Sequence, residues 1–429
     1  MIPNFKIREP IVCDAYKDNT VSFSPDGRFI ATLSSEAAVQ VRDCITLNVM
    51  RTIECADKVD SFFWSPDSKL LLVLMKSLNS IQVYFVEQTA NSQNRLTTSY
   101  AGVSGGTIDT ESVMWSPDST IILIFGAHAS FLCAWDITNR SIRRLPPPKN
   151  TFASAAYSPD NKYLAIITHE GGKDLLVIVD AQSFKRKMNF VLSTLDSTTV
   201  KWTADSRIVF VIDSISHHLL QIINIQTQLV FDHSAYDGFL GITEAVASNN
   251  SKIIAVGGFD DYVRLLLQND KKWSILTEFL HETSFGSHQS LTLYVENGNS
   301  FELRDPSNVS LKESGDKGIK SIKWAPGDKL LATISAQTPS ALFIWNDELI
   351  SLVAIIVFMS PILKFEWSPI NESLLVATGS GFITFWSPNS TPTMISSVDL
   401  MRVQDFYWRS DGKAFLIVDK KAGTVALAV

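Results

Sequence analysis

The sequence predicts an all-β protein, a β-propeller of about nine four-stranded WD40-type blades closed by its N-terminal strand into one ring. Three observations carry the prediction. One short turn signal recurs nine times, its copies are spaced as propeller blades are, and an apolar strand ending on a polar residue follows most of them.

Each copy is an aromatic residue, a Ser-Pro-Asp-like turn, and then four or five mostly apolar residues. Four copies are strong: Phe23-Ser24-Pro25-Asp26-Gly27, Trp64-Ser65-Pro66-Asp67-Ser68, Trp115-Ser116-Pro117-Asp118-Ser119 and Tyr157-Ser158-Pro159-Asp160-Asn161. Weaker ones follow at Trp202-Thr203-Ala204-Asp205, Ala247-Ser248-Asn249-Asn250, Trp324-Ala325-Pro326-Gly327, Trp367-Ser368-Pro369 and Trp408-Arg409-Ser410-Asp411-Gly412. Proline presets φ for the first turn position, and Asp with Gly or Asn suits the tight reversal, so each copy reads as the hairpin joining a blade's first two strands. Their starts at 23, 64, 115, 157, 202, 247, 324, 367 and 408 lie 41 to 51 residues apart except between 247 and 324, a gap of 77. That period is the one WD40 blades show.

Third strands are expected at 39–43, 81–87, 132–136, 175–180, 219–224, 341–346 and 382–387, nearly unbroken apolar runs of the kind covered on both faces. Trp135-Asp136 is the signature dipeptide itself, and Trp345-Asn346 and Trp386-Ser387 are near variants. The last repeat stops at 424–429, a third strand with no fourth behind it, while residues 4–9 precede the first complete repeat. The N-terminal strand is therefore expected to complete the last blade and remove two open sheet edges.

The long interval holds 291–296, then Asn297-Gly298, then 301–304, which reads as a hairpin with a strong two-residue turn. It is an inserted hairpin or a degenerate blade at about 284–316. No Gly/Ser-rich or charged segment marks a domain boundary, so the expected organisation is a single propeller over 1–429, one ring rather than two.

Composition narrows the function. The chain of 429 residues is 45% hydrophobic and 19% charged with 25 Phe and 10 Trp, a composition that folds throughout. A formal charge of −7 supplies no basic surplus for phosphates, which argues against a nucleic-acid partner. The longest apolar run, 349–359, is too short for a membrane helix, and the first ten residues lack a signal-peptide core. Cys13, Cys44, Cys55 and Cys133 lie far apart without a C-x-x-C pair, and read as reduced thiols.

No catalytic, cofactor-binding or metal-ligating set emerges. His128, His169, His217, His218, His233, His281 and His288 come without a helical H-x-x-x-H or partner cysteines, and are read as turn or blade-surface residues. The glycines at 102–106 read as loop, and Asp26, Asp67, Asp118, Asp160 and Asp205 as turn formers. Arg143-Arg144 and Lys185-Arg186-Lys187 read as solvated outer-strand charge.

One stretch resists that treatment. Residues 352–359 fall where a blade's fourth strand belongs, yet they are apolar on both faces, whereas an outer edge ordinarily alternates. Either the fold covers this strand or a partner does. On the second alternative Val353, Ile355, Ile356, Val357, Phe358 and Met359 form a docking edge.

Several segments resemble one family. Phe5-Lys6-Ile7, Val41-Arg42-Asp43 with Thr46-Leu47, Trp64-Ser65 with Ile81-Gln82-Val83, Ala255-Val256-Gly257 with Val263-Arg264, residues 363–369, and Phe385-Trp386-Ser387-Pro388 are similar to the WRAP-type WD-repeat proteins of centrosomes and spindle pole bodies. The specific matches are Ser234-Ala235-Tyr236 with Leu240-Gly241-Ile242, and 275–279 (Ile-Leu-Thr-Glu-Phe) with His281. The resemblance implies a non-catalytic scaffold, without cofactor, that helps anchor microtubule minus ends at the spindle pole. Its implied partners are a coiled-coil anchoring protein and, as in fungal relatives, a minus-end-directed kinesin. The implied location is the cytoplasm and cytoskeleton, at the spindle pole body or centrosome. A rival reading by analogy is a translation-initiation propeller on the ribosome. A propeller hydrolase would need a Ser, His and carboxylate motif that is not found.

Overall fold

The structure is a computed structural model. It describes every residue except 1–4, 9–10, 13–20, 88–95, 102–109, 151, 239, 270–271, 286–290, 347–350, 389, 398–400, 421 and 429, with backbone alone at 96–101, 110–111 and 428. Cys13, the glycines at 102–106 and His288 thus lie outside the described residues.

The described residues form nine small sheets, and the chain is a nine-bladed β-propeller. First strands end on the expected key residues: Val21–Phe23, Ser61–Trp64, Thr110–Trp115, Ala155–Tyr157, Thr199–Trp202, Ile242–Ala247, Ile319–Trp324, Lys364–Trp367 and Asp405–Trp408. Second strands such as Leu70–Met75 and Leu330–Ser335 are buried along their whole length, while fourth strands such as Val49–Glu54 alternate. Burial from both faces accounts for the unbroken apolar runs.

By internal contacts the chain divides into two compact units: Met1–Leu145 with Ala377–Ile383 and Ile395–Val429, and Pro146–Val376 with Thr384–Met394. Two hydrogen bonds recur between successive blades inside each unit. The first joins turns: the N–H of Asp26 donates to Ser68 Oγ (3.0 Å), Asp67 to Ser119 (3.1 Å), Asp160 to Ser206 (2.9 Å) and Asp205 to Ser251 (2.9 Å). The second joins first strands: the indole N–H of Trp115 donates to the Phe63 carbonyl, Trp202 to Ala156, Trp324 to Val246 and Trp367 to Lys323, at 2.9 to 3.3 Å. Inside the five turns of Asp26, Asp67, Asp118, Asp160 and Asp205 the aspartate accepts from the hydroxyl two residues before it, as Asp160 does from Ser158 at 2.7 Å, which fits the turn-forming role.

In the first unit the ninth sheet is completed as expected. Phe5–Ile7 pairs antiparallel with Ala422–Ala428, Lys6 opposite Leu427, and Ile11–Val12 pairs with the same strand. Thr424 Oγ1 donates to the Arg8 carbonyl at 2.7 Å, and the Phe5 and Phe415 rings meet edge-on at 4.9 Å.

In the second unit the seventh sheet has six strands. The interval between repeats six and seven is an inserted hairpin, not a degenerate blade: Thr292–Asn297 pairs with Ser300–Arg304, and Thr292–Asn297 also lies parallel to Ser351–Val357. The loop residues are Gly298 and Asn299, one position later than expected, because Asn297 already pairs with Ser300.

This pairing corrects the docking-edge reading. Ser351–Val357 has neighbours on both sides, Ala341–Asn346 and the hairpin, so the strand is not an edge. Ile355 and Ile356 are fully buried, Phe358 is buried against the Phe301 ring at 5.6 Å, and Val353 and Val357 are half-buried. Met359 alone of the six is exposed, at 73%, and its N–H donates to the Glu296 carboxylate at 2.6 Å. The strand is apolar on both faces because the fold covers it.

Candidate functional site

The segment Val230–His233 closes the fifth blade, and the loop after it folds onto itself. Tyr236 Oη donates to the Leu240 carbonyl at 2.9 Å, and the Ala235 N–H donates to His218 Nδ1 at 3.2 Å. Gly241 then ties three loops together. Its N–H donates to the Ile215 carbonyl at 2.6 Å and its carbonyl accepts from the Phe259 N–H at 3.2 Å. A Cβ here would sit 2.2 Å from the His217 carbonyl oxygen, so no other residue fits.

Beside this hub opens a cavity of about 470 Å³ lined by Tyr236, Leu240, Phe259, Asp260 and Lys317. Behind it Arg264 is held, its side chain 7% exposed. Its guanidinium meets Asp260 at 2.5 Å and Glu278 at 3.1 Å, and lies over the rings of Tyr236 and Tyr262 at 5.6 and 5.2 Å. Burial works against its charge, and the Asp260 and Glu278 carboxylates more than offset that. Gly258 makes room, since a Cβ there would meet Asp260 Oδ1 at 2.4 Å.

The histidines behind the cavity correct the expectation that all are turn or surface residues. His128, His169 and His217 fit it, but His218, His233 and His281 are buried. Burial first lowers His218 and His233 to about 4, helped at His218 by its neighbour His233 and then by the Arg264 charge, and at His233 by the Arg264 charge. Because His218 Nδ1 accepts an amide, its proton sits on Nε2. His281 is placed by a buried network: Nδ1 donates to the Asp261 carbonyl at 3.1 Å, and Thr333, which accepts from the Trp345 indole at 2.8 Å, donates to Nε2 at 2.7 Å. Asp261 Oδ1 accepts from the Gly318 N–H and from Ser335 Oγ, both at 2.9 Å, which fixes the chain beside Lys317.

The cavity offers apolar rings, an arginine-paired carboxylate and an exposed ammonium. Among the described residues no group of three or more His, Cys, Asp or Glu could hold a metal ion. Leu240 on the cavity wall is exposed (50%), and so are Ile215 (55%) and Leu195 (75%) on neighbouring loops. The loops are joined, because the Leu195 N–H donates to Asp213 and the Gly241 N–H to Ile215. Of the segments singled out in the sequence, Tyr236 and Leu240 line the cavity, Gly241 ties the loops beside it, and Arg264, held by Glu278, lies against Tyr236, whereas Phe279 and His281 pack on Trp345 in the blade core. Lys317, Phe259 and Asp260 carried no sequence signal of their own.

No family model matches the chain. WD repeat-containing protein WRAP73 of Mus musculus is 24% identical over 399 residues, covering 85% of this chain and 84% of that protein. An uncharacterized WD repeat-containing protein of Schizosaccharomyces pombe is 21% identical over 406 residues, covering 87% and 82%. The C-terminal WD40 domain of Sif2 superimposes with a TM-score of 0.53 at 14% identity, over 86% of this chain and 95% of that one, a likeness of fold. Over most of its length the chain is thus similar to WD repeat-containing proteins, WRAP73 among them.

Proposed function

We propose that the chain acts as a single non-catalytic scaffold that anchors microtubule minus ends at the spindle pole body or centrosome. It works with a coiled-coil anchoring protein and a minus-end-directed kinesin, in the cytoplasm and cytoskeleton. The observation that supports this is one preorganised cavity lined by Tyr236 and Leu240, from segments that resemble the family, with the exposed Ile215 and Leu195 on linked neighbouring loops, a surface suited to holding another protein. The groups there position one another and none is arranged as a nucleophile beside a base. Affinity purification of the tagged full chain with mass spectrometry, alongside imaging in dividing cells, tests the proposal. Recovery of a coiled-coil spindle-pole protein and pole localisation support it. Co-sedimentation with ribosomes and no signal at the poles would overturn it in favour of the translation reading.

A further inference from the structure

The cavity beside Gly241 presents apolar rings and one unneutralised cation. Asp260 is spoken for: Oδ1 accepts from Arg264 Nη1 at 3.2 Å and Oδ2 from Nη2 at 2.5 Å. Lys317 is exposed, and no ion pair or hydrogen bond engages its ammonium among the described residues. Nothing else lining the cavity carries charge. A ligand therefore meets Tyr236, Leu240 and Phe259 as an apolar cleft and Lys317 as a free positive pole.

We propose that this cavity binds a short peptide segment of a partner protein in which a large apolar side chain lies next to a carboxylate. The apolar side chain enters among Tyr236, Leu240 and Phe259, and the carboxylate pairs with Lys317. This rests on the reading of the chain as a protein scaffold, and adds the chemistry that selects the partner. Three features favour it. The volume falls in the range of ligand sites, roughly 300–1,000 Å³. The walls are fixed before binding, because Gly241 bonds two neighbouring loops and Asp261 holds Gly318, so little ordering cost falls on the complex. Outside the cavity the exposed Ile215 and Leu195 stand on loops joined in turn to the one that carries Leu240, through Gly241 to Ile215 and Leu195 to Asp213, which suits an extended chain better than a small molecule.

The test is selection from a phage-displayed library of short random peptides on the immobilised full chain. Selected peptides are then synthesised and titrated by fluorescence anisotropy against wild type, Lys317→Glu, Leu240→Asp and, as a control away from the cavity, the exposed Lys312→Glu. Melting curves confirm that each variant is folded. Selected peptides should share an apolar residue beside Asp or Glu. Lys317→Glu should weaken them at least about tenfold, Leu240→Asp should weaken them too, and Lys312→Glu should not. Replacing the peptide carboxylate by lysine should restore binding to folded Lys317→Glu. Selection of no peptides, of peptides without an acidic residue, or of peptides that bind Lys317→Glu as well as wild type would overturn the proposal. The same variants enter the affinity purification. If folded Lys317→Glu recovers the coiled-coil protein as wild type does, the cavity is not its site while the scaffold reading stands. If wild type recovers no spindle-pole protein yet the acidic peptides bind as expected, the scaffold's assigned place fails and the cavity's chemistry holds.

Discussion

The main-chain N–H of Asp160 donates to the hydroxyl of Ser206, one blade further on, at 2.9 Å. Ser206 holds φ +60°, a left-handed conformation that costs a residue with a Cβ, and the same is true of Ser68, Ser119 and Ser251. The serine is kept there because its hydroxyl serves the preceding turn. Ser206→Ala should lower stability by about 1 kcal/mol, and Ser206→Gly by less, since glycine accepts the conformation. Denaturant titration checks this, and an alanine variant as stable as wild type would show that the hydroxyl links nothing.

Ile356 lies opposite Tyr294 in the parallel pairing of the inserted hairpin and is fully buried. Ile356→Glu places a charge where no cation reaches it, and stability should fall by more than about 3 kcal/mol. Met359→Gln, at an exposed position, should change it by less than about 0.5 kcal/mol. Thermal melts of the two variants decide whether the strand is core, and a well-folded Ile356→Glu would say it is not.

Residues 5–7 and 11–12 both pair with Ala422–Ala428. Deleting residues 1–12 leaves that strand with an unpaired edge, so the melting temperature should fall and the protein should aggregate more readily. Calorimetry and light scattering on the truncated chain read this directly, and unchanged curves would count against the pairing as a source of stability.

Burial pushes His281 down to about 4, partly opposed by its bond to the Asp261 carbonyl, and burial first likewise lowers His218 and His233 to about 4. In the unfolded chain each would titrate near 6.5. Between those values the unfolded state binds more protons, so stability is complete above about pH 6.5, declines as pH falls towards 4, and loses nothing further from these groups below that. At about pH 5 the loss should be about 2 kcal/mol for each histidine. Melting temperature followed from pH 7 to 5 measures it, and His281→Gln should flatten part of the slope.

Gly241→Ala forces a methyl against the His217 carbonyl, a backbone atom that cannot rotate away. Stability should drop by about 1–3 kcal/mol. The peptides bound at Lys317 should be lost even where the variant remains folded, and anisotropy with the same peptides tests this.

Much of the fold was legible in the sequence because the turn chemistry is local. Pro25, Asp26 and their equivalents announce each hairpin, and the strands after them need only an apolar run. Two things were not legible. Residues 353–359 looked like an exposed apolar edge because their cover comes from residues 292–297, and sequence periodicity does not report parallel pairing across that distance. The cavity was half legible: Tyr236, Gly241 and Arg264 stood in segments specific enough to be noticed, but Phe259, Asp260 and Lys317 gain meaning only when three loops meet at Gly241.

The inserted hairpin is synthesised before the strand it will cover. Glu296 and its partner Met359 are 63 residues apart, and the first three strands of the seventh blade are made between them. As the chain leaves the ribosome, Leu293 finds earlier residues such as Val263 and Phe279 in its cluster, but Tyr294 and Phe301 emerge before any of the residues they pack with. They must wait until Ile355 and Ile356 follow. A chaperone that shelters nascent chains has its clearest call on this protein in that interval, and a pause in translation just after residue 310 would lengthen it.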